Sequence, residues 1–139
     1  MNSSAPTVRA IRGAIQVAAD DAGEIRAATK ELIAAVLQEN DLASDDLISV
    51  FFTVTPDLVS EFPALAGYEC GLADVPMMCA VEMNVSNAMP RVIRLLAHVA
   101  TSRLRAEIRH PYLRGASAIT PARVFAARKS AAMFPDIPE

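Results

Sequence analysis

The sequence has 139 residues, a net charge of -3 and an apolar share of 53%, with only 5% aromatic residues. This length fits one domain and is too short for two, and the apolar share favours burial of some surface between subunits. Acidic and basic residues are interspersed without a basic stripe, which argues against nucleic acid and against an anionic membrane as partners.

The two ends of the sequence differ in composition from the stretch between them. Residues 1–7 are small and polar and predict a disordered N-terminal tail, whereas residues 120–139 predict a partly helical C-terminal tail. Residues 8–119 are then the single domain. No window approaches the roughly 20 apolar residues of a membrane span, so we expect no membrane partner and a cytoplasmic location.

The first half of the chain predicts a strand, a long helix and a second strand. Val8–Val17 is rich in β-branched residues, as in a strand. Asp21 and Glu24 have capping-box spacing and begin a helix whose apolar positions recur until Asn40. Residues 47–54 are apolar on both faces and predict a central strand. A short helical or irregular stretch is expected to follow.

The second half of the chain predicts three more strands. Met77–Val81 forms a short one, Val92–Ala100 a longer one, and His110–Ile119 a final one. A long helix after the first strand, followed by a run of strands, indicates an α+β fold. We therefore expect a mixed sheet packed against one long and one short helix.

Three polar side chains stand inside these strand patterns. Arg12 and Arg94 lie among apolar residues, and Tyr112 carries a phenol that needs a partner. Because alternate residues share a face, Arg94 projects from the same face as Leu96 and His98. A single strand arginine usually pairs with a carboxylate, and Glu82 after the third strand is equally ordinary by itself.

The chain carries no motif for a nucleophile, a phosphate loop or a metal. Cys70 and Cys79 lack metal or redox spacing, and His98 and His110 lack partners for a metal or a triad. We expect neither metal nor cofactor. Chemistry would then depend on electrostatic stabilisation of a bound anion.

Five stretches in order resemble the AroH-class, Bacillus-type chorismate mutases over nearly the whole domain. These stretches are Arg9–Ala14, Thr55–Leu58 with Phe62–Ala64, Val75–Met83, Arg91–Arg94 and Ile108–Leu113. The resemblance implies a homotrimer with a pseudo-barrel core and active sites between subunits. It also implies a 3,3-sigmatropic rearrangement of chorismate to prephenate, as an isomerase of the shikimate pathway that serves phenylalanine and tyrosine biosynthesis.

The same resemblance implies roles for individual residues. Arg94 would contact the ether oxygen, Arg12 would bind a carboxylate, and Glu82 would face the positive charge that develops on the ring. These three are the expected catalytic residues. The expected substrate-binding residues are Tyr112, Cys79, Phe62, Ala64, Met78 and Ile119.

The sequence departs from the family pattern at the mouth of the site. Tyr68 and Thr120 stand where the family usually has arginines, and we hypothesise that Arg123 or Arg128 of the tail covers the entrance instead. Three alternatives stay open, and the altered mouth motivates the first of them. They are a mutase acting on an analogue such as 4-amino-4-deoxychorismate, a noncatalytic trimeric anion-binding homologue, and a reactive-imine deaminase, which ranks last.

Overall fold

A computed structural model of the chain describes residues 5–130 and contains five strands and three α-helices within that range. Residues 1–4 and 131–139, which include most of the predicted N-terminal tail and the end of the C-terminal tail, lie outside the described residues. The elements are β1 Thr7–Gln16, α1 Ala22–Glu39, β2 Leu47–Val54, α2 Pro63–Glu69, β3 Met77–Val81, β4 Val92–Thr101, β5 Tyr112–Leu113 and α3 Pro121–Ser130.

The five strands form one mixed sheet in the order β3-β2-β4-β1-β5, which confirms the predicted α+β class. Strand β4 is central and pairs antiparallel with both β1 and β2. The edge strands β3 and β5 are parallel to their neighbours β2 and β1. A β-bulge near Leu47 and Ser49 shifts the register at the start of β2.

Helix α1 packs on one face of the sheet and closes the main core. Its N-cap is Asp21, whose side chain accepts a hydrogen bond from the backbone N–H of Glu24 at 3.0 Å, as the capping-box spacing predicts. Ile25 and Leu32 of α1 are fully buried against Ile15 and Ile93 of the sheet. Each such side chain contributes about 1.5–3 kcal/mol on burial.

The other face of the sheet is open over much of its area. On β4 the residues alternate as predicted, so that Ile93, Leu95, Ala97 and Val99 are buried while Arg94, Leu96 and His98 face the open side. Strand register places four residues of neighbouring strands in one row across this face. In order, that row is Thr53, Arg94, Ala14 and Tyr112.

The predicted final strand over His110–Ile119 was wrong in extent. Only Tyr112 and Leu113 pair as a strand, and Arg114–Ile119 forms a 3₁₀ helix. Pro111 cannot donate to a ladder, and Arg114 has a left-handed φ of 54°, which turns the chain away from the sheet. Two carboxylates of α1, Glu24 and Glu31, hold the Arg114 guanidinium at 3.0 and 3.1 Å.

Two further segments, the stretch after Pro56 and the C-terminal tail, contain short helices. The stretch after Pro56 resolves into a loop and the short helix α2, with Pro63 at its first turn. Helix α3 occupies part of the predicted C-terminal tail. Among residues 5–130, no helix combines the length and apolar character needed to cross a membrane.

Candidate active site

Glu82 and Arg94 lie together at one end of the open face. Glu82 follows β3, and its backbone N–H donates to the carbonyl of Val54 at 2.8 Å, which fixes the start of the loop. The Arg94 Nε lies 3.8 Å from Glu82 Oε2. Both side chains are part exposed, so their ion pair adds at most about 1 kcal/mol to stability. The pairing of these charges therefore matters more for a bound ligand than for the fold.

Thr53 is a third member of this group and was not predicted from the sequence. Its hydroxyl donates a hydrogen bond to Glu82 Oε2, and its backbone is paired with Arg94 across β2 and β4. In the sequence, a threonine inside an apolar strand does not by itself indicate a role in a functional site. Only the register of β2 against β4 reveals that it faces Arg94.

Tyr112 is the member of the row on the far side of Ala14 from Arg94, and Ile119 packs in the same cluster as Tyr112. Ala14 is fully buried between Arg94 of β4 and Tyr112 of β5, its partners in the sheet. Tyr112 and Ile119 pack with Ala14 and Ala116 in a small apolar cluster. The 3₁₀ helix thus carries Ile119 back over the open face beside the phenol.

Arg12 lies on the same face, two residues before Ala14 on β1. Arg12 is exposed and is paired with Leu96, which is two residues after Arg94 on β4 and faces the same side of the sheet. Its backbone N–H donates to Nδ1 of His110 at 3.1 Å. Burial of His110, and next the positive charge of Arg12, lower the pKa of this histidine, so the ring is neutral at pH 7.

The predicted wall residues Phe62, Ala64 and Cys79 lie elsewhere. Cys79 pairs with the buried Phe52 and points toward α2, on the opposite side of the sheet from Arg94. Phe62 and Cys79 line a pocket of about 330 Å³, while Ala64 packs against the main core. Burial raises the pKa of the Cys79 thiol, opposed by a hydrogen bond with the Ala64 backbone, so the thiol is protonated.

Met78 is the wall residue that does share the open face. It pairs with Phe51, which pairs in turn with Leu96, and its side chain is 63% exposed. Within one chain the structure therefore forms two groups of predicted site residues. The first group is Arg12, Met78, Glu82, Arg94, Tyr112 and Ile119, and the second group is Phe62, Ala64 and Cys79.

Tyr68 and Thr120, which stand where the family usually has arginines, lie at the edges of these two groups. Tyr68 is exposed on α2, and Thr120 ends the 3₁₀ helix. The backbone N–H of Arg123 donates to the Thr120 hydroxyl at 3.4 Å, and its guanidinium donates to the Ser117 carbonyl at 3.0 Å. The tail arginine is thus bound to the 3₁₀ helix in this structure, beside the cluster that contains Ile119.

Comparisons with known proteins agree on one family. A family model described as chorismate mutase type I matches residues 8–123. The chain is 44% identical to the chorismate mutase AroH of Thermus thermophilus over 115 residues, which cover 82% of this chain and 94% of that protein. It is 37% identical to the chorismate mutase AroH of Bacillus subtilis (strain 168) over 107 residues, covering 76% and 84%.

A solved structure, the chorismate mutase from Clostridium thermocellum, has the same fold. It superposes with a TM-score of 0.79 at 40% sequence identity, covering 80% of this chain and 99% of that one.

Proposed function

The chain belongs to the chorismate mutase type I family, and from this premise we propose that Arg94, Glu82 and Arg12 catalyse its reaction between subunits of a homotrimer. The chain is an isomerase that converts chorismate to prephenate in aromatic amino acid biosynthesis. We further propose a cytoplasmic location, as expected for an enzyme of aromatic amino acid biosynthesis.

The reaction needs positioning and charge stabilisation only. In the 3,3-sigmatropic shift the ether carbon-oxygen bond breaks while a carbon-carbon bond forms in the same molecule, and no group or proton leaves. Negative charge grows on the ether oxygen and positive charge on the ring. Donors already aimed at such a developing charge stabilise the transition state without reorganisation.

The observation that carries the proposal is the Arg94–Glu82 pair on the open face. The Arg94 guanidinium supplies the donor for the ether oxygen, and the Glu82 carboxylate faces the ring as it becomes positive. Thr53 holds one carboxylate oxygen of Glu82, which limits the rotation of that side chain. The two opposite charges are thus set side by side before the substrate binds.

The remaining residues bind and enclose the substrate. Arg12 and Tyr112 bind carboxylate oxygens, and Ile119 closes one side. Phe62, Ala64, Met78 and Cys79 form the apolar wall that selects a compact conformer, with the neutral Cys79 thiol available to the ring hydroxyl.

A second subunit completes this site. The Phe62 side chain is 71% exposed at the pocket near α2, while the open face presents Phe51 and Leu96, each 41% exposed. Exposed apolar side chains of this kind favour association of copies of the chain. A cyclic arrangement places the Phe62 group of one subunit against the Arg94 group of the next, three times in a trimer.

The loss of chorismate absorbance in wild type and Arg94→Ala tests this mechanism. We expect a rate at least about 100-fold lower in the variant, as when one preorganised donor is removed. Arg109→Ala is the matched control, because Arg109 is exposed and its backbone, not its side chain, bonds to Asn40. Equal rates in wild type and Arg94→Ala would contradict the assigned role of Arg94.

The relatives do not favour the analogue substrate, the noncatalytic homologue or the deaminase. Turnover of chorismate and 4-amino-4-deoxychorismate by the same preparation separates the first of these directly. We propose that the tail covers the entrance through Arg123 or Arg128. A chain truncated after Thr120 that keeps the full rate and KM would refute that role of the tail.

A further inference from the structure

The charges of the site do not balance those of a dianionic substrate. Chorismate carries two carboxylates, but the Arg94 charge is already matched by Glu82 at 3.8 Å. Arg12 forms no ion pair with any carboxylate among residues 5–130. Apart from the tail arginine proposed above to cover the entrance, the residues assigned so far offer one uncompensated cation for two anionic groups, and burying an unmatched carboxylate is costly.

A cleft of about 430 Å³ contains Arg12 and extends along the part of β1 that precedes its pairing with β5. Its volume is within the usual range of small-molecule sites. The opposite wall is the loop after β4, and that loop brings a second arginine, Arg105, into the same cleft as Arg12. The other residues that line the cleft are Val8, Arg9, Ala10, His98, Ile108 and His110.

Arg105 is the first residue of a 3₁₀ turn, Arg105–Glu107, and its own neighbours do not neutralise it. The Glu107 carboxylate instead accepts a hydrogen bond from the backbone N–H of Leu104 at 2.7 Å. Within the part of the chain that the structure describes, Arg105 has no ion pair with a carboxylate. Its guanidinium is exposed and is available to a ligand.

Nearby arginines already donate hydrogen bonds to backbone carbonyls. Arg9 donates to the carbonyl of Arg103 at 3.1 Å, and Arg103 donates to the carbonyl of Glu39 at 2.9 Å. The Arg123 guanidinium donates to the Ser117 carbonyl, and Arg123 does not line this cleft. His110 adds a neutral ring, because its Nδ1 accepts the hydrogen bond from the Arg12 backbone. Arg9 and Arg105 both line the cleft with Arg12, but the Arg9 side chain is held by a backbone carbonyl, whereas the Arg105 guanidinium has no hydrogen bond or ion pair within residues 5–130.

We propose that Arg105 binds one carboxylate of the substrate, with the other held by Arg12, and so sets the specificity for a dicarboxylate. This inference rests on the proposed function. Arg105 does not touch the bond that breaks, so it contributes to binding in the ground state and the transition state alike. Such uniform binding changes KM and leaves kcat unchanged.

Steady-state kinetics of Arg105→Ala, Arg105→Lys and Arg109→Ala test the proposal. We expect KM for chorismate to rise about 10-fold in Arg105→Ala with kcat within about two-fold of wild type, as for loss of one exposed charge-assisted contact. Arg105→Lys should recover part of the affinity, because it keeps the charge without the planar fork. Arg109→Ala, which removes a cation of the same loop outside the cleft, should match wild type.

Binding of the product separates this proposal from a general charge effect. The affinity for prephenate should fall about 10-fold in Arg105→Ala. Of the two monomethyl esters of prephenate, the ester at the carboxylate that Arg105 binds should have equal affinity for variant and wild type, whereas the other ester should still bind the variant more weakly. A KM equal to wild type in Arg105→Ala would overturn the proposal. The proposed function fails separately, if wild type does not turn over chorismate.

Discussion

The carboxylate of Glu82 is held between the Thr53 hydroxyl and the Arg94 guanidinium, and each contact has a different consequence. The guanidinium neutralises the charge, whereas the hydroxyl fixes where the charge lies. A carboxylate that faces a developing positive charge is effective only when its position does not have to be reorganised during the reaction. Thr53 is therefore a positioning residue for Glu82.

Thr53→Val removes this hydroxyl and keeps the β-branched shape of the side chain. We expect kcat to fall about 10-fold with little change in KM, because the lost contact orients a group used in the transition state. Thr53→Ser, which retains the hydroxyl, should remain close to wild type. A Thr53→Val variant with the kcat of wild type would contradict a positioning role.

His110, which lines the cleft beside Arg12, makes the stability of the fold depend on pH in the acidic range. Its pKa is lowered from the ordinary value of 6.5 by burial and then by the Arg12 charge. Below pH 6.5 the unfolded chain takes up a proton at His110 that the folded ring resists, so the free energy of unfolding falls as pH falls through 6.5. Above that value His110 makes no such contribution.

The test compares urea unfolding of wild type and His110→Asn at about pH 7.5 and about pH 5. The variant should lose less stability than wild type between the two values. His98→Asn provides the control, because that ring contacts Ser49 and Phe51 and does not bond to the Arg12 backbone. An equal loss in wild type and His110→Asn would contradict the assignment.

Gly13 of β1 allows this strand to lie close both to helix α1 and to the segment that carries Tyr112. The backbone N–H of Ala14 donates to the Pro111 carbonyl at 3.0 Å, which joins β1 to the segment that carries Tyr112. A Cβ at Gly13 would lie 2.9 Å from that carbonyl oxygen and 3.1 Å from a methyl of Leu32. The close approach at Gly13 therefore sets the distance between β1, α1 and the Tyr112 segment.

Gly13→Ala should reduce the free energy of unfolding by about 1–3 kcal/mol, the usual effect of overpacking. Urea unfolding measures the change, and kcat should fall as well because the Tyr112 segment shifts. Gly23→Ala in the first turn of α1 is the control, since its Cβ would meet only the Asp21 side chain and alanine favours helices. Equal stability of Gly13→Ala and wild type would show that the segment moves freely.

Local patterns predicted most of these elements, and the failures have physical causes. Strands β1 to β4 and helix α1 follow from apolar periodicity and the Asp21 cap, because those signals lie within each segment. The final strand was wrong because Arg114 is held by Glu24 and Glu31, which lie far away in the sequence. Thr53 was missed for a similar reason, since its role depends on strand register.

At the scale of the whole molecule, the two groups of site residues lie on different surfaces of one chain. Arg94 and Glu82 face the open side, while Phe62 and Cys79 line a pocket near α2. The resemblance predicted all of these residues from short motifs, but motifs do not indicate which of them meet within one subunit. In the proposed site these two surfaces meet between copies of the chain, so that site requires assembly.

Mixing two inactive variants tests this requirement. Arg94→Ala and Phe62→Asp should each be inactive, but refolding them together should restore about one quarter of the wild-type rate, because random mixing leaves about one site in four intact. Arg94→Ala mixed with Glu82→Ala should recover nothing, because both changes damage the same group. Recovery in neither mixture, or equally in both, would refute a site shared between subunits.

Catalytic activity also depends on correct strand pairing, because Thr53, Arg94, Ala14 and Tyr112 form one row only when four strands are in register. A slip of one residue in any of these strands would turn its member of the row to the opposite face. A misaligned chain could keep much of its secondary structure and still be catalytically silent. Specific activity, rather than circular dichroism, would then report how many molecules in a refolded sample have paired their strands correctly.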